Sequence, residues 1–221
     1  MNTNELIDAL ATDTNREPSP TRSIILAVSL GSAISFIGLV ATIGLREDLG
    51  AALYTWRFDL KLAVLALILA LAFIDALKLV RPTGQHLPGA LNSLPMLILL
   101  SAVCLELTLL PADVWHSSLI GSNAVLCLVA IPALSLAPLL SIFVAMRSAA
   151  PRCPMSTGAA AGRLAAGIGA LLYGLHCFDD SPLFVITWYT LDIRDSGKGG
   201  KTSSARNGRP KMINASFSAA S

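Results

Sequence analysis

The chain has 221 residues and a net charge of +2, with 54% hydrophobic and only 14% charged residues. A soluble domain carries roughly a quarter charged residues, so this deficit, with a mean hydropathy of +0.66, points to lipid as the solvent. The small net charge gives no case for direct nucleic-acid binding, and four cysteines without a CxxC exclude a zinc ribbon or a dense disulfide scaffold.

The chain opens with NTNELIDALATD, polar and acidic through Glu5, Asp8, Asp13 and Glu17. A cleaved signal peptide would start basic and carry a shorter apolar core, so none is expected. Asn2 with Glu5 three residues on has the form of a capping box. Leu6, Ile7 and Leu10 then share one helical face. Such a segment is too short to be a stable helix alone in water. Two readings stand: an amphipathic helix that docks its apolar face on a partner, or a leader with no partner. Pro18 and Pro20 separate it from the membrane region.

Five stretches are long and apolar enough to read as spanning helices: residues 24–45, 60–80, 91–110, 119–146 and 157–175. Without water, backbone groups must be satisfied within each segment, so these should be helices. The fold class expected is all-α, a polytopic membrane bundle of five clear spans plus a truncated sixth. Residues 182–193 start like that sixth span but break off at Asp192. Residues 194–221 are rich in Ser, Gly, Lys, Arg and Asn and read as a disordered tail. The domain division is 1–22 N-terminal segment, 23–190 bundle and 191–221 tail.

Lys and Arg in the connectors set the orientation. Arg16, Arg22, Lys78, Arg81, Arg147 and Arg152 fall on one side, with Arg163 nearby; Arg46, Arg57 and Lys61 fall on the other. The balance places the N-terminus in the cytoplasm. Five spans would then put the basic tail outside, against the same rule.

Ionisable groups inside spans are functional candidates by default. Lys61 sits at a helix end. Asp75 and Lys78, three apart, can pair or snorkel, and Arg163 can snorkel. Glu106 is harder to set aside. Cys104, Glu106, Cys127, His176 and Cys177 all map to the outer half. Such a set could form a disulfide, bind a soft metal (candidates Cys127, His176 and Cys177) or be modified. Cysteine is also a small residue that simply packs well. Gly158 and Gly162 form a GxxxG that Gly167, Gly169 and Gly174 extend, which predicts close helix contact. Pro132 and Pro138 favour kinks in the fourth span. There is no P-loop, HExxH, GxSxG or Rossmann glycine pattern, so no enzyme and no cofactor is expected.

Three features resemble one family: NELIDALATD at the start, Cys127 within LCLVAIPALSLAPL, and the string His176-Cys-Phe-Asp-Asp-Ser-Pro-Leu-Phe-Val-Ile-Thr-Trp-Tyr-Thr190. Together they are similar to the NrsF-type anti-sigma factors, over residues 1–190. The resemblance implies a six-span inner-membrane protein that holds an extracytoplasmic-function sigma factor inactive at the cytoplasmic face until a stimulus releases it. It implies sensing roles for Cys127 and Cys177, with His176, Asp180, Ser181, Pro182, Trp188 and Tyr189 as the supporting motif. It makes the N-terminal segment, through Leu6, Ile7 and Leu10, the sigma contact. The partners implied are that sigma factor and membrane lipid. After Thr190 the family continues with a sixth apolar helix, which the polar tail replaces here, as a frameshift or altered 3′ end would do. The competing reading is a small membrane transporter or metal-efflux component, its path lined by Glu106 and the kinked and glycine-rich spans. A thiol oxidoreductase ranks last, for want of CxxC.

Overall fold

The computed structural model describes residues 19–81, 85–146 and 154–190. The docking residues Leu6, Ile7 and Leu10, Cys153, and the tail 191–221 lie outside the described residues. Among the described residues there is no strand. The main helices are α1 (Pro20–Thr42), α2 (Trp56–Leu79), α3 (Gly89–Leu109), α4 (Ala124–Met146) and α5 (Pro154–Gly174).

Local chemistry sets the helix ends. Ser19 caps α1 by accepting from the Arg22 amide at 3.4 Å, with Pro20 in the first helical position where its missing N–H costs nothing. The helix closes at Gly44, whose φ of +79° lets its amide turn back to the Leu39 carbonyl at 2.9 Å. Gly121, with φ of +60°, breaks the short helix Trp115–Ile120 away from α4.

Four stretches are long and apolar enough to cross a membrane: Pro20–Thr42, Trp56–Leu79, Gly89–Leu109 and Ala112–Met146. The five clear spans expected are therefore more than the structure supports. The fifth expected span does form, as the 21-residue helix α5. Its hydropathy is lowered by Ala, Gly and Arg163, and the reason lies in its position. It is the central helix, packed chiefly between α2 and α4, with α1 outside α4 and α3 beside α2. Ala159, Ala160, Ala161, Leu164, Ala165, Ala166, Ala170 and Tyr173 are all buried. A helix that touches protein on most sides needs small residues for close approach more than it needs lipid-soluble bulk. By contrast α1 turns Leu26, Leu30, Ile34 and Ile37 outward, as a lipid-facing helix does.

A truncated sixth element is also present. A single turn at Pro182–Phe184 runs into a π-helical stretch at Val185–Tyr189. It does not stand apart. Phe184, Val185 and Tyr189 are buried in the same core as Leu39, Leu65, Leu99, Ile131 and Tyr173.

Where α4 packs on its neighbours, the prolines and glycines meet. Pro138 has no amide to give the Leu134 carbonyl. Ser35 of α1 donates to that carbonyl instead, at 2.6 Å. Ser141 likewise donates to the Ala27 carbonyl at 2.8 Å. The helix contact expected of the glycines is closest at Gly169, where an added Cβ would lie 2.7 Å from the Ile131 carbonyl. Gly169→Ala should therefore lower stability by about 1–3 kcal/mol through overpacking. Gly38→Ala, with nothing within 4 Å of the new Cβ, should leave it unchanged or slightly raised. Thermal unfolding of both variants in detergent checks the contrast.

Candidate functional site

One end of the bundle gathers the close of α1, the start of α2, the close of α3, the start of α4 and the close of α5. The segment from His176 to Leu183 lies across that end and is tied to every one of these elements. His176 Nδ1 donates to the Gly44 carbonyl at 3.1 Å, beyond α1. The Arg46 amide donates to the Leu175 carbonyl at 3.3 Å. Lys61 of α2 donates to the Cys177 carbonyl at 2.9 Å and pairs with Asp180. Arg46 also reaches Asp180, at 2.7 Å. Glu106 of α3 accepts from the Ser181 hydroxyl at 2.8 Å and the Leu183 amide at 3.2 Å, and pairs with Arg57 at 3.2 Å. Asp179 accepts from the amides of Ser122 at 3.1 Å and Asn123 at 2.9 Å, just ahead of α4. A carboxylate there also meets the positive end of the helix dipole. Trp188 Nε1 donates to the Leu119 carbonyl at 3.0 Å.

The string His176–Tyr189 is thus a strap, and its chemistry is legible residue by residue. Ser181 and Pro182 start a helical turn, with the Ser181 hydroxyl accepting from the Leu183 amide at 3.3 Å. Asp179 and Asp180 split their work between the α4 end and two cations, Arg46 in the connector after α1 and Lys61 of α2. Gly121 must be glycine for a second reason: an added Cβ would lie 2.8 Å from Asp179 Cγ and 2.6 Å from the Phe184 ring.

Both predicted sensing cysteines sit beneath the strap. Cys127 and Cys177 are each 0% exposed and share one core cluster with Tyr173, Phe184 and Tyr189. Neither is in a disulfide. The Cys177 thiol points to the Asp179 carbonyl at 3.9 Å. Burial pushes this thiol's pKa up, opposed by the nearby Lys61 ammonium, so it rests as the neutral thiol. At the surface of the same end the Arg46 guanidinium, by hydrogen bonding, holds the Asp48 carboxyl below the usual carboxylate range. Cys104 is exposed on the bundle exterior and does not join the thiols. Among the described residues, no three His, Cys, Asp or Glu side chains approach closely enough to hold a metal ion.

Several polar groups have roles that spacing did not suggest. Lys61, read as a helix-end residue, is fully buried and ion-paired. Glu106, a candidate for lining a transport path, is closed off against Ser181. Asp75 pairs with Arg163 of α5 at 2.5 Å and His86 at 3.2 Å, and accepts from the Leu87 amide at 3.0 Å, rather than pairing with Lys78. The signal that was available is the Ser122-Asn123 pair before an apolar run, a helix-start pattern whose free amides attract a carboxylate.

The fold and site define a helical protein, apolar enough at four helices to cross a membrane, whose polar side chains are spent on internal clamps. The chain belongs to the NrsF family, described as negative regulator of sigma F, which it matches over residues 10–202. The match runs past Thr190, where the resemblance was expected to stop; Leu191 and Ile193 still continue the apolar pattern there. The chain is 31% identical over 207 residues to the anti-sigma-F factor NrsF of Caulobacter vibrioides, covering 87% of this chain and 92% of that protein. It is 30% identical over 199 residues to the probable anti-sigma-F factor NrsF of Azospira oryzae, with the same coverage of 87% and 92%. No solved structure matches.

Removing Lys61 leaves Asp180 with Arg46 alone and strips the Cys177 carbonyl of its donor. Lys61→Met should cost about 1–3 kcal/mol and speed alkylation of Cys177 relative to exposed Cys104. Thermal unfolding and peptide-resolved labelling of the purified protein check both.

Proposed function

We propose that this chain is a multi-pass protein of the bacterial inner membrane that holds an extracytoplasmic-function sigma factor inactive and frees it when a heavy metal or oxidant attacks Cys127 and Cys177. The observation that carries the reading is that two fully buried thiols lie in one cluster beneath a strap tied to every helix end on that side. Chemistry at either sulfur adds volume to a closely packed core, and the strap is the element that must move to accept it.

The partner contact is assigned to the N-terminal segment, through the apolar face of Leu6, Ile7 and Leu10. The Lys and Arg distribution puts this segment in the cytoplasm and the thiol end on the opposite side. Helix α5 crosses as a fifth, interior span that joins the two ends. Inhibition is then occlusion by binding, with no bond made or broken in the sigma factor. Release requires the partner to prefer one arrangement of the bundle over the other. Moving from nearly all bound to nearly all free takes about 5.5 kcal/mol of differential affinity, a scale that covalent or metal chemistry at thiols supplies.

Replacing both cysteines, Cys127→Ser with Cys177→Ser, should abolish induction of a sigma-dependent reporter by metal or oxidant while leaving repression intact. Normal induction would remove the thiol mechanism. Deleting residues 2–17 should make the reporter constitutive; unchanged repression would place the sigma contact elsewhere.

A further inference from the structure

Tyr173 lies in the last turn of α5, and Tyr189 closes the π-helical stretch. Their side chains are 0% and 1% exposed, and neither hydroxyl has an oxygen or nitrogen partner, the weakly accepting Cys177 sulfur being what lies within reach of both. The two rings stand 6.2 Å apart, tilted by 43°. Cys177 lies beside both hydroxyls, and Cys127 is near enough to act on both electrostatically. A buried hydroxyl without a partner is costly and uncommon. Two of them around one sulfur make a site that lacks an acceptor. A thiol does not fill it, because sulfur accepts weakly. An oxygen bonded to that sulfur does.

We propose that Tyr173 and Tyr189 form a receiving site for a single oxygen atom added to Cys177, which makes Cys177 a peroxide-modified residue held as a sulfenic acid by two phenol donors. The inference rests on the reading of Cys177 as a sensing thiol and names the modification it takes. The step is Cys177–SH + H2O2 → Cys177–SOH + H2O. The peroxide O–O bond breaks and an S–O bond forms. Sulfur is oxidised, the peroxide oxygens are reduced, and the thiol proton leaves with the departing hydroxide as water. The sulfenic oxygen accepts from the hydroxyls that the reduced protein leaves unsatisfied. A soft cation offers no acceptor and leaves both hydroxyls as they were. Cys104, on the exterior, has no such site and serves as the internal reference.

The test uses the full-length protein in nanodiscs, with Cys127→Ser to prevent a disulfide. It is treated with hydrogen peroxide and quenched in denaturant containing dimedone. Peptide mass spectrometry reads the adduct on Cys177 against that on Cys104. The background protein should accumulate the adduct on Cys177. Adding Tyr173→Phe or Tyr189→Phe should lower it about 5-fold, the effect of one lost hydrogen bond, with the Cys104 adduct unchanged. The melting temperature of each reduced Phe variant should equal or exceed that of its background, because an unsatisfied hydroxyl has been removed. A merely structural role for the tyrosines predicts lower melting temperatures and an unchanged Cys177 to Cys104 ratio. An unchanged ratio overturns the proposal, as does an adduct on Cys104 with none on Cys177. An adduct that forms as expected in cells whose sigma-dependent reporter stays silent under peroxide supports the receiving site and counts against the release reading alone.

Discussion

Hydrocarbon offers a buried carboxylate no water, so each one in this bundle must find its donors on another part of the chain. Asp75 draws them from Arg163, His86 and the Leu87 amide. Glu106 draws them from Arg57, Ser181 and the Leu183 amide. At the end of the bundle the half-buried Asp179 takes the first amides ahead of α4, and the half-buried Asp180 takes Lys61 and Arg46. These requirements fix register in a way that apolar packing alone does not, since one greasy helix face slides over another at little cost. Leaving such a charge uncompensated costs about 3–5 kcal/mol, against a total stability of roughly 5–15 kcal/mol for a domain. The clamps on the fully buried Asp75 and Glu106 are therefore each a large fraction of what holds the fold.

The clamps also explain the position of α5. It is held at its middle by Arg163 to Asp75 and continues directly into the strap at its end. Between these points its small residues let α2 and α4 close around it. A displacement of the strap is thereby a displacement of the helix on which α2 and α4 both pack.

Much of this was legible in the chain. Hydropathy located α1 to α4 within a few residues, and the Ala/Gly pattern predicted a closely packed α5. What hydropathy could not register is that an interior helix need not be strongly apolar, so α5 was counted as a clear span on a signal it only partly carries. The strap string was recognisable by resemblance, and Cys127 and Cys177 do share one cluster. Its partners were not legible, because spacing along a helix reports neighbours on one face and says nothing of which helix lies opposite. Asp75 found Arg163, 88 positions away, rather than Lys78 on its own helix. Cys104 was grouped with the other thiols by depth, but it faces outward. The unsatisfied hydroxyls of Tyr173 and Tyr189 had no signature in the sequence at all.

The central claim is that the strap is part of the locked core and not a surface loop. Hydrogen–deuterium exchange of the full-length protein in nanodiscs, resolved to peptides covering residues 176–189, tests it most directly. The account predicts exchange as slow as that of α5, with protection lost when Asp179 and Asp180 are both replaced by Asn. Exchange as fast as that of the exposed connector around Glu47 and Asp48, in the unaltered protein, would contradict it.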